Sequence, residues 1–456
     1  MSNTVSGNPD LPSLLQRVHE IFSRHKTLTL VSSSPEGELW AGKVYFGSEG
    51  GDLYVALEQG RNYRNILKNP RVFFVIEHGV PDLFLQGEGM AERLGPVEER
   101  VERHIIFRNA FELVPFAQAY PGVEIFRIRP TRLYISDFRG EWKPRAELII
   151  TPEIQRELAR ISERSRSRIK TFLKAIRPFS FTATLFPVLL GTLLAPSPSL
   201  GLFLLTLLSA LLLHAGVNVL SDSFDYRKGA DTWKVLGSSR VLVDKEMDPR
   251  VHQLFGWILA GSGSLLGLIL TYLTGPALLL FGLAGIFLGV GYAGPPGLKY
   301  RGLGDLAVFL AFGPLMVLGA YYVQTRSVSL EPALLSIPLG LLTIAILHGN
   351  NYRDLKVDAQ AGYRTFAGFL GEQGSSWYYL FLVLSAYLIQ GIFVSLGWLS
   401  PGTLLSLLSL PLALRNIRTA LNPRRVAFTF LDLLTAQLHL VYGLFFTLGV
   451  ILGRLT

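Results

Sequence analysis

Two stretches of this chain gather carboxylates at spacings that a helix would bring to one face. In the first, Asn218-Val219-Leu220-Ser221-Asp222-Ser223-Phe224-Asp225-Tyr226-Arg227-Lys228-Gly229-Ala230-Asp231, two aspartates stand three residues apart and a third follows Gly229. In the second, Asn350 to Asp358, the residues Asn351, Asp354 and Asp358 are spaced i, i+3 and i+7, so a helix stacks them on one side. Carboxylates held together in this way repel one another until a cation joins them. Mg2+ takes oxygen ligands and is usually bound through a few carboxylates together with substrate phosphates. Lys299, Arg240 and Arg364, with Lys356 inside the second stretch, are cations able to neutralise phosphate oxygens. A single acidic loop is equally well read as solvated aspartates paired with Arg227, Lys228, Arg353 and Lys356. Two matching clusters favour the metal reading. A site of this kind suits cleavage of an allylic diphosphate, which needs charge stabilisation of the leaving group and an apolar cavity for the tail.

The elements that must position these residues are membrane helices. The 456 residues are 49% hydrophobic and only 17% charged, too apolar for one soluble fold. Apolar stretches near the roughly 20 residues of a spanning helix recur at about 178–195, 199–220, 254–274, 276–293, 304–323, 331–349, 377–396, 398–413 and 429–452. The count is nine spans. Basic residues crowd alternate connections, among them Arg164 to Lys174, Arg227 to Arg250, Lys299 with Arg301, Arg353 to Arg364 and Arg415 to Arg425, whereas the opposite loops hold little beyond Arg326. The positive-inside bias then makes the acidic loops and the N-terminal region cytoplasmic and sends the C-terminus outward. The net charge of +9 is mostly topology, and no nucleic-acid partner is expected. The absence of cysteine excludes disulfides, thiolate nucleophiles and Cys-ligated metals. No cleavable signal is visible at Met1.

Before residue 175 the pattern changes to short alternating runs: Thr27 to Val31, Trp40 to Phe46, Leu53 to Leu57, Val72 to Ile76, Leu83 to Met90 and Val123 to Ile135. Helical patterns cover Leu11 to His25, Asn62 to Asn69 and Val97 to Arg108. This predicts an α+β unit of roughly six strands, a small antiparallel barrel or curled sheet. Arg61, Asn62 and Arg64 open a helix after a strand, where side chains and helix amides suit a phosphate, and Lys43 on the preceding strand could face the same ligand.

The residues also carry two resemblances. Asn218 to Asp231, Gly237 to Leu242, Tyr292 to Gly304 and Asn350 to Gly368 resemble the UbiA-like intramembrane prenyltransferases, and among them the 1,4-dihydroxy-2-naphthoate polyprenyltransferases of menaquinone synthesis. The resemblance covers about residues 170–456. It implies that Asp222, Asp225, Asp354 and Asp358 are catalytic Mg2+–diphosphate ligands, with Asp231 a further metal-site member. Asn218, Arg177, Arg240, Lys299, Asn351, Lys356 and Arg364 are the candidates for substrate binding, Arg177 toward an acceptor carboxylate. Ser221 stands where the family usually has Asn. The implied reaction transfers a polyprenyl group from its diphosphate to an aromatic acceptor with loss of CO2. Hydroxybenzoate, homogentisate and glycerol phosphate acceptors occur in related enzymes. Gly60 to Val72 and Leu85 to Ala91 resemble the pyridoxamine 5′-phosphate oxidase-like, FMN-binding split barrels over about residues 10–148. That resemblance implies FMN at Lys43, Arg61, Asn62 and Arg64, and a homodimer through the barrel.

The expectation is therefore a two-domain chain: an N-terminal α+β split β-barrel at 1–150, a basic linker at 151–172, and a C-terminal all-α polytopic bundle of about nine helices at 173–456 in the cytoplasmic (inner) membrane, in contact with lipid. Two other readings compete. A transporter also places polar sites in the membrane, but these aspartates lie at helix ends on one face. A flavin oxidoreductase anchored by the helices would need neither nine spans nor two aspartate motifs. Gly289-Val290-Gly291-Tyr292-Ala293-Gly294 spells a dinucleotide fingerprint but ends a membrane helix, which predicts helix packing. His214 and His348 lie near the two motifs as possible pocket residues, with interhelical hydrogen bonding the commoner role for such histidines.

Overall fold

The computed structural model describes residues 9–77, 82–120, 122–138, 145–165, 168–424 and 426–455; side chains 164, 165 and 426 are left aside. Arg166 and Arg425 of the basic connections fall outside the described residues. The chain divides into two compact units, Met1–Ile169 and Lys170–Thr456.

In the first unit, strands β1 (Thr27–Ser33), β2 (Leu39–Glu49), β3 (Asp52–Leu57), β4 (Arg71–Ile76), β5 (Leu83–Pro96), β6 (Glu124–Asp137) and β7 (Ala146–Ile149) form one antiparallel sheet in the order β3-β2-β1-β4-β5-β6-β7. Pairing of β3 with β6 closes the first six strands into a barrel, and β7 adds to the edge of β6. Alternation drives this: along β1 and β4 every second residue, such as Leu28, Leu30, Val72 and Phe74, turns into a core that excludes water. Gly87 is required where β5 crosses β4, because a Cβ there would lie 2.3 Å from the Phe74 ring. Register shifts at Glu88/Gly89 and Arg93/Gly95 bend β5 so that the sheet can close.

Helix α1 (Leu11–Arg24) is capped by Asp10, whose Oδ1 accepts from the Ser13 amide at 2.9 Å, and buries Leu14, Leu15, Val18, Ile21 and Phe22. Helices α2 (Arg61–Lys68), α3 (Arg103–Asn109), α4 (Leu113–Ala119) and α5 (Pro152–Ser165) complete the unit. The helix expected from Val97 starts six residues later, because the Val97 amide instead bonds the Val123 carbonyl at 3.1 Å and extends the strand pairing. The segment expected as a linker contains α5, whose Leu158 belongs to the barrel core.

The second unit is helical: α6 (Arg168–Ile176, beginning at the unit boundary), α7 (Thr182–Leu193), α8 (Leu200–Arg227), α9 (Pro249–Thr274), α10 (Ala277–Ala293), α11 (Gly304–Leu310), α12 (Met316–Thr325), α13 (Leu330–Leu335), α14 (Ile337–Arg353), α15 (Leu355–Gln360), α16 (Phe366–Ser395), α17 (Leu410–Ala420) and α18 (Leu431–Leu455). Among the described residues, six helical spans are long and apolar enough to cross a membrane, namely α8, α9, α11 with α12 (Gly304–Thr325), α13 with α14 (Leu330–Arg353), α16 and the span Ala427–Leu455 that holds α18, and α6 with α7, bent by 43°, makes a seventh if counted as one span. Nine spans are not reached by that measure. The stretch at 276–293 forms α10, which is apolar but only 17 residues long, and the proline-bearing stretch at 398–413 winds as a 3-10 helix at Pro401–Ser409 before α17.

Close packing rests on small residues. A Cβ on Gly216 of α8 would lie 2.6 Å from the Ala260 amide nitrogen of α9, and one on Gly449 of α18 would lie 2.2 Å from the Gly402 carbonyl oxygen. Gly289, first of the Gly289 to Gly294 run, sits in α10 against Val217 of α8, as helix packing requires. Between α11 and α12 a π-turn at Ala311–Leu315 breaks the helix, since Pro314 has no amide to donate and Gly313 leaves helical geometry.

Candidate active site

The two acidic stretches end neighbouring elements of one pocket. Helix α8 stops because Gly229 adopts a positive φ of 72°, which lets the Ala230 amide return to the Asp225 carbonyl at 2.8 Å. The chain then crosses to α14, where Gly237 lies so close to the Asn350 side chain that a Cβ would collide with it. Helix α14 ends at Arg353, and the turn at Asp354 restarts as α15, carrying Asp358.

The resulting cavity encloses about 1320 Å3 including its open mouth. Asn218, Asp225, Asp231, Lys299, Asn351, Asp354 and Asp358 line its polar end, and Leu288, Ala307, Val308, Phe312, Ile346 and Leu347 its apolar end. The π-turn places Phe312 on this wall, against the imidazole of His214 at a ring separation of 4.7 Å.

Several aspartates already face a cation. Asp222 is buried behind the wall, paired with Arg177 and accepting from the Ser239 amide at 3.0 Å. Lys299 Nζ stands 2.8 Å from Asp225 Oδ2, while the Tyr300 hydroxyl donates to the other oxygen. Arg353 grips both oxygens of Asp354 at 3.1 and 3.0 Å and reaches Asp432 at 2.8 Å. Among the described residues, Asp231 and Asp358 have no ion-pair partner, and no three His, Asp or Glu side chains converge as a metal-holding group. Six aspartates thus meet three cations, Arg177, Lys299 and Arg353. The excess of negative charge is felt: burial and then Asp225 push the Asp231 carboxyl up to about 7, and burial, with Asp354 nearby, pushes Asp358 up to about 7. Burial works against the charge on Lys299, but Asp225 and its other anionic neighbours overcome it and hold that ammonium's pKa well above the ordinary lysine value. These unpaired hard oxygens fit a divalent cation in kind.

Not every expected residue reaches the cavity. Arg240 is 5% exposed, forked onto Asp244 at 3.2 and 2.9 Å and donating to the Trp233 and Val235 carbonyls, so it braces the loop instead of offering a free guanidinium. Lys356 and Arg364 are exposed outside the lining. His348 is buried behind the wall and bonds the Ser375 carbonyl at 3.0 Å, whereas His214 does line the pocket, held by Thr184 and Ser180. Four contributors were not foreseen: Tyr292, Tyr363 and Asp432 in the lining, and Tyr300, whose ring lies tilted 4.7 Å from that of Tyr363. In the barrel, Lys43 and Arg64 are exposed and Arg61 lies 4.6 Å over the Trp40 ring, but Asn62 is buried and accepts from Ser32 Oγ at 2.7 Å.

The UbiA prenyltransferase family profile matches residues 184–434, more than half of the chain and the whole of this pocket except its Arg177, Phe179, Ser180 and Ala183 edge. The chain belongs to the UbiA prenyltransferase family. UbiA prenyltransferase domain-containing protein 1 of Mus musculus is 38% identical over 312 residues, covering 65% of this chain and 89% of the mouse protein. The Homo sapiens protein of that name is 37% identical over 309 residues, covering 65% and 88%. A solved digeranylgeranylglyceryl phosphate synthase is 18% identical with a TM-score of 0.44, covering 62% of this chain and 98% of its own. Family membership makes the chain a prenyltransferase, and with its apolar helices an integral membrane protein.

Proposed function

We propose that this prenyltransferase moves a polyprenyl group from polyprenyl diphosphate to 1,4-dihydroxy-2-naphthoate, as a step of menaquinone synthesis. The observation that carries the reading is the joining of two aspartate-bearing helix ends at one pocket whose far wall is apolar. Asp225, Asp231, Asp354 and Asp358, with Asp222 behind them, are the residues that would hold Mg2+, which when bound neutralises charge on the diphosphate leaving group. Lys299 and Arg177 add fixed positive charge at the polar end, and Asn218 and Asn351 orient the diphosphate or the acceptor. Phe179, Tyr292 and Phe312 present aromatic faces to the prenyl cation, and the leucine and isoleucine wall keeps water from it. Arg177 also suits the acceptor carboxylate that leaves as CO2.

Nine spans, a cytoplasmic acidic face and an outward C-terminus belong to the same proposal, as does the division at 1–150, 151–172 and 173–456. For the barrel we propose FMN, its phosphate held by Lys43, Arg61 and Arg64, in a homodimer. The exposed Leu39, Phe73 and Met90 are apolar surface available to a second copy. Flavin absorbance in the gently purified chain tests the cofactor: a colourless protein that ignores added FMN contradicts it. An acceptor panel tests the prenyl reaction. Incubation with Mg2+, polyprenyl diphosphate and 1,4-dihydroxy-2-naphthoate is expected to give the decarboxylated prenyl naphthoquinol by mass spectrometry. Prenylation of hydroxybenzoate, homogentisate or glycerol phosphate acceptors alone would reassign the acceptor.

A further inference from the structure

Arg353 sits between two carboxylates, one on its chain neighbour Asp354 and one on Asp432 of α18. Its Nε and Nη2 fork onto Asp354 at 3.1 and 3.0 Å, and its Nη1 reaches Asp432 Oδ1 at 2.8 Å and the Thr429 carbonyl at 3.3 Å. Nη2 also donates to Asn350. The Arg353 and Asp354 side chains are only 6% and 8% exposed. Asp432 lies in the first turn of α18, where its Oδ1 also accepts from the Leu433 amide at 2.9 Å, and it lines the pocket.

This arrangement poses a problem for metal binding. A carboxylate with both oxygens on a guanidinium is not free to ligate, and a buried guanidinium that gives up its only carboxylate is left uncompensated at high cost. Asp432 removes that cost by offering a second anion already in contact. We propose that Asp432 is a positioning residue that takes over Arg353 when a divalent cation and diphosphate engage Asp354. The proposal rests on the metal–diphosphate reading of the pocket and adds a residue outside both aspartate motifs. Arg353 thereby works as a latch: it keeps Asp354 neutralised until substrate arrives, then swings fully onto Asp432.

The test reads binding without turnover. Mn2+, whose free and bound forms differ in electron paramagnetic resonance, is titrated with pyrophosphate into the purified full chain. Asp432→Asn is expected to weaken Mn2+ affinity about tenfold, and to have no further effect in an Arg353→Gln background, where no guanidinium competes for Asp354. An equal loss in both backgrounds would make Asp432 a direct ligand and overturn the proposal, as would unchanged affinity of the single variant. If Arg353→Gln does not accumulate, Arg353→Lys replaces it, because an ammonium cannot fork onto both oxygens. Asp432→Asn then costs less than about threefold if the latch exists, and the full loss if it does not. Failure of the wild-type chain to bind Mn2+ would overturn the pocket reading and the latch with it, whereas a wild-type chain that binds and a variant that matches it overturn the latch alone.

Discussion

Asp231 and Asp358 carry the charge that the pocket's own cations leave uncompensated. Each carboxyl rises from an ordinary 3.8 to about 7 in the folded chain, so it binds its proton more tightly folded than unfolded. The sign follows by linkage: folded stability falls as pH climbs from about 4 to about 7 and stays low above that. Thermal unfolding of the purified chain without metal should show this decline, and Mg2+ with pyrophosphate should reverse it above pH 7. A melting temperature flat across the window, or one that rises with pH, contradicts the assignment. The aspartate clusters were legible from their spacing in the sequence, although Asp231 follows the end of α8, Asp222 sits behind the wall that Asp225 lines, and a break at Asp354 separates the helix of Asn351 from that of Asp358. Asp432 was not, since it reaches the site from another element and nothing in its own neighbourhood marks it, and Tyr300 went unnamed although it adjoins the candidate Lys299. Arg240 shows the converse: its charge suggested a phosphate ligand, and only its bonds to Asp244 and two carbonyls reveal that four of its five guanidinium donors are used within the loop.

At the scale of elements, the site depends on helices packed closely enough to fix their ends. Helix α18 brings Asp432 to the pocket while Gly449, further along the same helix, rests on the Gly402 backbone. Gly449→Val should therefore force these elements apart and cost about 1–3 kcal/mol or more, read as a lowered unfolding midpoint in detergent. Gly261, with nothing within 4 Å of an added Cβ, provides the control, and Gly261→Ala should be near neutral. Equal effects would contradict the packing argument. The six barrel strands were readable from alternation and turn residues, as were α1 and α2. The late start of α3 was hidden because strand pairing across the sheet, a non-local interaction, overrode the local helical pattern. Against the upper count of seven, the two remaining stretches differ locally: α10 is 17 residues long, and Pro401–Ser409 is a 3-10 helix that opens on Pro401.

For the whole molecule, the distribution of basic loops sets the orientation proposed above. The natural absence of cysteine makes this directly measurable. A single cysteine at Ser327 should react with a membrane-impermeant maleimide in intact cells, and one at Gln360 only after permeabilisation; the reverse pattern would invert the topology. Orientation matters to the proposed function because a cytoplasmic acidic face would meet a soluble aromatic acid from that side. The central claim is that the paired aspartate ends form a divalent-metal prenyl-transfer site, and product formation with and without chelator tests it most directly. Wild-type chain given Mg2+, polyprenyl diphosphate and 1,4-dihydroxy-2-naphthoate should yield a prenylated product that vanishes on chelation and falls at least about 100-fold in Asp225→Asn and in Asp354→Asn, both still folded in the membrane. Turnover that survives chelation and both substitutions would contradict the account.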